Sequence, residues 1–146
     1  MINEVIKGIT DALYAEFGEK YEIHTEASEQ DMTAPAFFVR CVTPDFERQL
    51  KSRKKIDLLF AVSYFAESTL APRRELNDVY ERLVQCLELI EAQGKKIRGS
   101  ISWGDAADGV LTAMAEYVFF ANWQMERQEM QGYEMEGGIR NGNSDS

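Results

Sequence analysis

The sequence predicts an α+β fold: an antiparallel or mixed sheet of about five strands with two helices packed on it. Two observations carry this. Two windows have apolar residues recurring every three or four positions, the helical period, and several short runs are rich in β-branched and aromatic residues. The predicted order is helix, three strands, helix, two strands. That order differs from the regular strand–helix alternation of a parallel sheet. At 146 residues and 45% apolar composition, the chain is long enough to bury a core without disulfides or metal. One domain over residues 1–125 is expected, followed by a polar tail over residues 126–146, with no internal repeat or interdomain linker.

The first helix is predicted over residues 3–17. Ile2, Val5, Ile6, Ile9, Leu13 and Phe17 make one stripe. Asn3 suits the N-cap, Glu4 suits the positive end of the helix dipole, and Gly18 suits the stop. Residues 21–25 (YEIHT) alternate and predict a short strand. Residues 26–35 (EASEQDMTAP) are polar and end in proline, which predicts a loop. Residues 36–43 (AFFVRCVT) predict a strand that Pro44 ends.

Next comes PDFERQLKSRKK, with the cationic residues Arg48, Lys51, Arg53, Lys54 and Lys55. It leads into residues 56–65 (IDLLFAVSYF), apolar on both faces like a covered central strand. A hairpin with the basic segment near its tip is the simplest arrangement.

Pro72 suits the first turn of the second helix. Leu76, Val79, Tyr80, Leu83, Cys86, Leu87 and Ile90 form its apolar stripe, and Gly94 is expected to close it. Residues 95–103 alternate, with Ile97, Ile101 and Trp103 on one side. A turn is expected at GDAADG, residues 104–109. Residues 110–123 (VLTAMAEYVFFANW) are apolar at period two and complete a long hairpin.

Charge narrows the possible functions. The chain has 16 cationic and 25 acidic residues, a formal net charge of -9. Five of the cations fall in the basic segment, so the rest of the chain is strongly acidic. Such a chain grips neither nucleic acid nor an anionic membrane, because both need clustered Lys and Arg. The basic segment itself is either a solvated loop or an electrostatic contact with an acidic partner surface.

No run approaches the ~18 uncharged apolar residues of a membrane span, and the opening segment lacks the pattern of a signal peptide. Cys41 and Cys86 are too few for a disulfide framework and are expected as free, buried thiols in a reducing compartment.

Chemistry is sparse. His24 and Cys41 could in principle pair as base and nucleophile, but no motif surrounds them. Asp105 and Asp108 suit a turn better than a cation site, and no metal-binding or phosphate-loop pattern occurs. No cofactor is expected. Several strands are apolar on both faces, more than two helices can cover. Surplus apolar surface of this kind marks a protein interface.

The residues in order resemble a known family. An amphipathic helix precedes YEIHTE, a polar loop leads to APAFFVRCVTP, and a basic stretch enters an aromatic strand in RQLKSRKKIDLLFAVSYF. Then follow the helix RRELNDVYERLVQCLELIE, the strands KKIRGSISWGDAADGVLTAMAEYVFF and the ending GYEMEGGIRNG. This is similar to the tail terminator proteins of tailed bacteriophages and phage-like elements of Gram-positive bacteria.

The resemblance implies a structural, non-enzymatic protein that forms a ring, usually of six subunits, on the head-proximal end of the tail tube. Such a ring stops tube polymerisation and presents the surface that joins the tail to the head. In contractile tails it also meets the sheath. The implied partners are further copies of the chain, the tube protein and, in addition, sheath and head–tail connector proteins; DNA passes through without specific binding. Assembly in the host cytoplasm and residence in the virion tail follow.

The expected partner interface comprises Arg48, Lys51, Arg53, Lys54 and Lys55 of the basic segment and Glu29, Asp31 and Met32 of the polar loop. It also includes Tyr133 and Arg140 of the tail, which would wrap a neighbour or the head-side partner. The alternatives are another neck component or, in a different class, a small ligand-binding or enzymatic domain.

Overall fold

The computed structural model of the protein describes residues 1–26, 33–67 and 72–122. The elements are α1 (Ile2–Phe17), β1 (Glu22–His24), β2 (Ala36–Arg48), β3 (Arg53–Phe65), α2 (Pro72–Leu87), β4 (Leu89–Ala92), β5 (Lys95–Ala107) and β6 (Val110–Asn122). The six strands form one sheet in the order β1-β2-β3-β6-β5-β4. β1 pairs with β2 in parallel, Ile23 opposite Phe37, whereas β4–β5 and β5–β6 are antiparallel. The fold is thus α+β with a mixed sheet, as the residue pattern predicts.

The chain divides into two compact units. The first holds Met1–Pro44 and Leu58–Tyr117; the second holds Asp45–Asp57 and the chain from Val118 onward.

The core of the first unit is where the helical stripes meet strand residues. α1 buries Val5, Gly8, Ile9, Leu13 and Phe17. α2 buries Leu76, Val79, Leu83 and Leu87. Leu58, Phe60, Val62 and Tyr64 alternate along β3, and Leu111, Ala113, Ala115 and Tyr117 along β6, all essentially without exposure. This period of two is the signature of one buried sheet face. Aromatic rings join the layers: Phe17 lies 4.7 Å from Phe37, and Phe37 lies 5.0 Å from Tyr64. The Tyr117 hydroxyl donates to the Leu87 carbonyl at 2.7 Å. It thereby pairs one of the carbonyls that the last turn of a helix leaves free. Arg82 on α2 clasps the end of α1, donating to the Glu16 carboxylate and carbonyl and lying 4.2 Å above the Phe17 ring.

Four local expectations need correction. The second helix stops at Leu87, not near Gly94, because Leu89–Ala92 pairs with β5 instead. The Gly99 amide also takes the Glu88 carbonyl at 2.8 Å, removing it from any continued helix. Gln93 and Gly94 both have positive φ and make the two-residue turn that suits a tight hairpin.

β2 continues through Pro44 to Arg48, so proline is accommodated within the strand. Asp105 lies in β5 beside a bulge, and the turn is only Asp108–Gly109, again with positive φ at both. Met1 rather than Asn3 precedes α1, with no side-chain cap; its ammonium group pairs with Glu4 at 2.6 Å.

β4 is placed by Gly8. A methyl group at Gly8 would lie 2.5 Å from the Glu91 carbonyl oxygen. Only glycine lets α1 come this close to β4, which is why a helix-weakening residue sits mid-helix.

Candidate functional site

The second unit carries the basic segment. Arg48 ends β2, Lys51 lies in the turn with φ 55°, and Arg53, Lys54 and Lys55 open β3. The turn is closed by backbone bonds: the Arg53 amide donates to the Leu50 carbonyl, and the Gln49 amide to the Arg53 carbonyl, both at 2.9 Å. The predicted loop is therefore two strand ends and a short turn. The structure gathers these five cations into one strand–turn–strand.

Two further contacts brace it. The Arg53 guanidinium lies 4.4 Å above the Phe120 ring of β6. The Ser52 hydroxyl donates to the Asn122 side-chain oxygen at 2.7 Å. Arg53 is thus held by an aromatic face. Arg48, Lys51, Lys54 and Lys55 form no ion pair with any described residue.

At the turn stands Leu50, 80% exposed, and Phe120 is 49% exposed. An exposed leucine in a turn whose flanking cations form no ion pair among the described residues is suited to a protein contact, with an apolar anchor and charged neighbours. The sequence reading missed Leu50 and Phe120. A lone leucine within RQLKSRKK was the available signal for the first. Phe120 was hidden by neighbouring apolar residues, since only the strand's alternation decides which of them point outward.

The first unit has its own exposed feature. The Tyr80 ring of α2 meets the Trp103 ring of β5 edge-on at 5.1 Å, and Trp103 is 40% exposed. Asp78 and Glu81 flank Tyr80 in the helix, are exposed, and pair with no described cation.

The groups with chemical potential are otherwise engaged. The Nε2 of His24 lies 2.9 Å from the Glu22 carboxylate, which also accepts the Thr33 amide at 3.0 Å. These bonds hold the Glu22 carboxyl below its ordinary range, the His24 contact most. Burial pushes the Cys41 thiol up, the opposite of what a nucleophile requires. Cys86 is pushed up to about 12, mainly by burial. Both cysteines are free and half-buried rather than fully buried.

Among the described residues no group of His, Cys, Asp and Glu converges as a metal site, and no helix is long and apolar enough to cross a membrane. Asp108 serves the turn and Asp105 the strand, so the two do not share one turn. Glu29, Asp31, Met32, Tyr133 and Arg140 lie outside the described residues, as do residues 126–146.

Comparison with known proteins adds one match. A family model described as phage tail terminator protein matches residues 4–130. No curated protein matches the chain.

Proposed function

From the premise that the chain belongs to the phage tail terminator family, whose members are structural proteins of tail assembly, we propose that it caps the head-proximal end of the tail tube as a ring, usually of six copies. The ring ends tube polymerisation and presents the joining surface for the head or neck and, in a contractile tail, for the last ring of sheath. Assembly takes place in the host cytoplasm, and the protein remains in the virion tail or in a phage-tail-like particle.

The mechanism is one of mismatched faces. A growing tube end stays reactive while it displays the docking surface for the next subunit. A cap must fit that surface on one side and not reproduce it on the other. The observation that carries this reading is the separation of charge and exposed apolar surface in the chain. Arg48, Lys51, Arg53, Lys54 and Lys55, with Leu50 among them, form the basic contact, while the charged residues elsewhere in the chain are predominantly acidic. Complementary charge of this kind fixes register and orientation between subunits. Six copies at -9 each would also surround the passing DNA with repulsive charge, so that DNA slides without sticking.

The test is the triple variant Arg53→Glu, Lys54→Glu, Lys55→Glu in assembling particles. Tails of irregular or excess length in electron micrographs, with normal folding of the purified variant, are expected. Uniform tails of normal length would refute the role of this segment.

A further inference from the structure

We infer that the acidic segment of residues 126–136 folds back on the basic turn of its own chain and covers it until a partner displaces it. The inference goes beyond the capping reading and does not depend on it.

Charge matches the two halves. Residues 48–55 (RQLKSRKK) carry five cations and no acid. None of the five forms an ion pair with a described residue, the flanking Asp45, Glu47 and Asp57 included. The end of β6, residues 118–122, meets the turn through the Phe120 ring and the Asn122 side chain and is itself uncharged. Residues 126–136 (ERQEMQGYEME) carry four glutamates and one arginine.

Position selects this segment. The Asn122 side chain accepts the Ser52 hydroxyl at 2.7 Å, so the chain leaves β6 beside the turn. Glu126 and Glu129 follow within about 13 and 23 Å of extended chain, and Lys51 is the neighbour of Ser52. A short tether keeps the segment at an effective concentration on the order of millimolar, ahead of an acidic surface on a separate molecule. A second acid-rich run, residues 22–31, begins in β1, and its Glu22 carboxylate is already bonded to His24 and Thr33.

The apolar groups match as well. Leu50 is 80% and Phe120 49% exposed, and the segment sets Met130, Tyr133 and Met135 between its glutamates. Methionine adapts to irregular apolar and aromatic surface. A partner with a denser acidic surface displaces the segment and gains the turn, so the turn is withheld from weaker contacts.

The experiment uses the purified full chain and has two arms. In the first, unlabelled and isotopically labelled protein are mixed and treated with a water-soluble carbodiimide, which joins a carboxylate to a lysine amine in contact with it. Crosslinks from Lys51, Lys54 or Lys55 to Glu126, Glu129, Glu134 or Glu136 are expected within one chain. Raising the salt to about 1 M should lower their yield at least about threefold. In the second arm, Glu129→Gln, Glu134→Gln and Glu136→Gln are combined, and binding of poly-L-glutamate is measured. The triple variant should bind it at least about threefold more tightly, and adding Lys51→Gln with Lys54→Gln should remove that gain.

Crosslinks that join labelled to unlabelled chains overturn the inference and make a second copy the occupant. A lack of crosslinks between the two segments overturns it, as does equal binding of poly-L-glutamate by the triple variant and the natural chain. In each case the capping reading stands, because tail length tests it separately.

Discussion

The two units make opposite use of the same residue types. In the first, Phe37, Phe60, Tyr64 and Tyr117 are buried, and Arg82 is spent on Glu16 and the Phe17 ring. In the second, Leu50 and Phe120 are exposed, and none of the five clustered cations has an ionic partner among the described residues. An apolar or charged group left unused by the fold is free for a partner. On the proposed reading, the buried core of the first unit carries stability and the basic turn of the second is the surface offered to a partner.

That contrast can be broken by substitution. Phe60→Ala, in the first unit, should destabilise most, by about 4 kcal/mol in urea unfolding, through lost burial and the cavity left behind. Gly8→Val should cost about 3 kcal/mol, since its side chain meets the Glu91 carbonyl of β4, a backbone group that cannot rotate away. Tyr117→Phe should cost about 1–2 kcal/mol, because the buried Leu87 carbonyl loses its donor. Lys54→Glu with Lys55→Glu should change stability by no more than about 0.5 kcal/mol and yet disturb tail length. A large loss of stability there would erase the distinction between the units.

The smallest effect concerns pH. The folded Glu22 pKa lies below the ordinary value of 4.5, so its contribution is present above the unfolded pKa and is lost as pH falls through the folded one. Replacing His24 with Ala should raise the Glu22 pKa in an NMR titration, with little effect on the melting temperature.

Much of this was legible in the residues because it depends on local period. The stripes from Val5 to Phe17 and from Leu76 to Leu87 carry the helical period with one apolar face, and from Leu111 to Tyr117 every second residue is apolar, although Ala113–Glu116 taken alone also suits a helix. The basic segment was legible as composition. Its shape was not, since Pro44 reads as a strand end until a neighbouring strand is known. Strand β4 was missed because Ile90 continues the helical period of α2, and nothing local outweighs that. The competing claim comes from Lys95–Arg98, which pair with Leu89–Ala92, and from Gly8, distant in sequence.

By itself, then, the sequence determined the α+β class, both helices, the acidic balance and the basic segment of residues 48–55. All of these follow from residue type and spacing within a few turns of chain. Only the tertiary structure decided where α2 ends and that the basic segment is strand and turn. It also decided that Leu50, Phe120 and Trp103 remain exposed while Phe60 and Tyr117 do not. Exposure is set by what the rest of the chain places over a side chain, and hydrophobicity alone does not encode that.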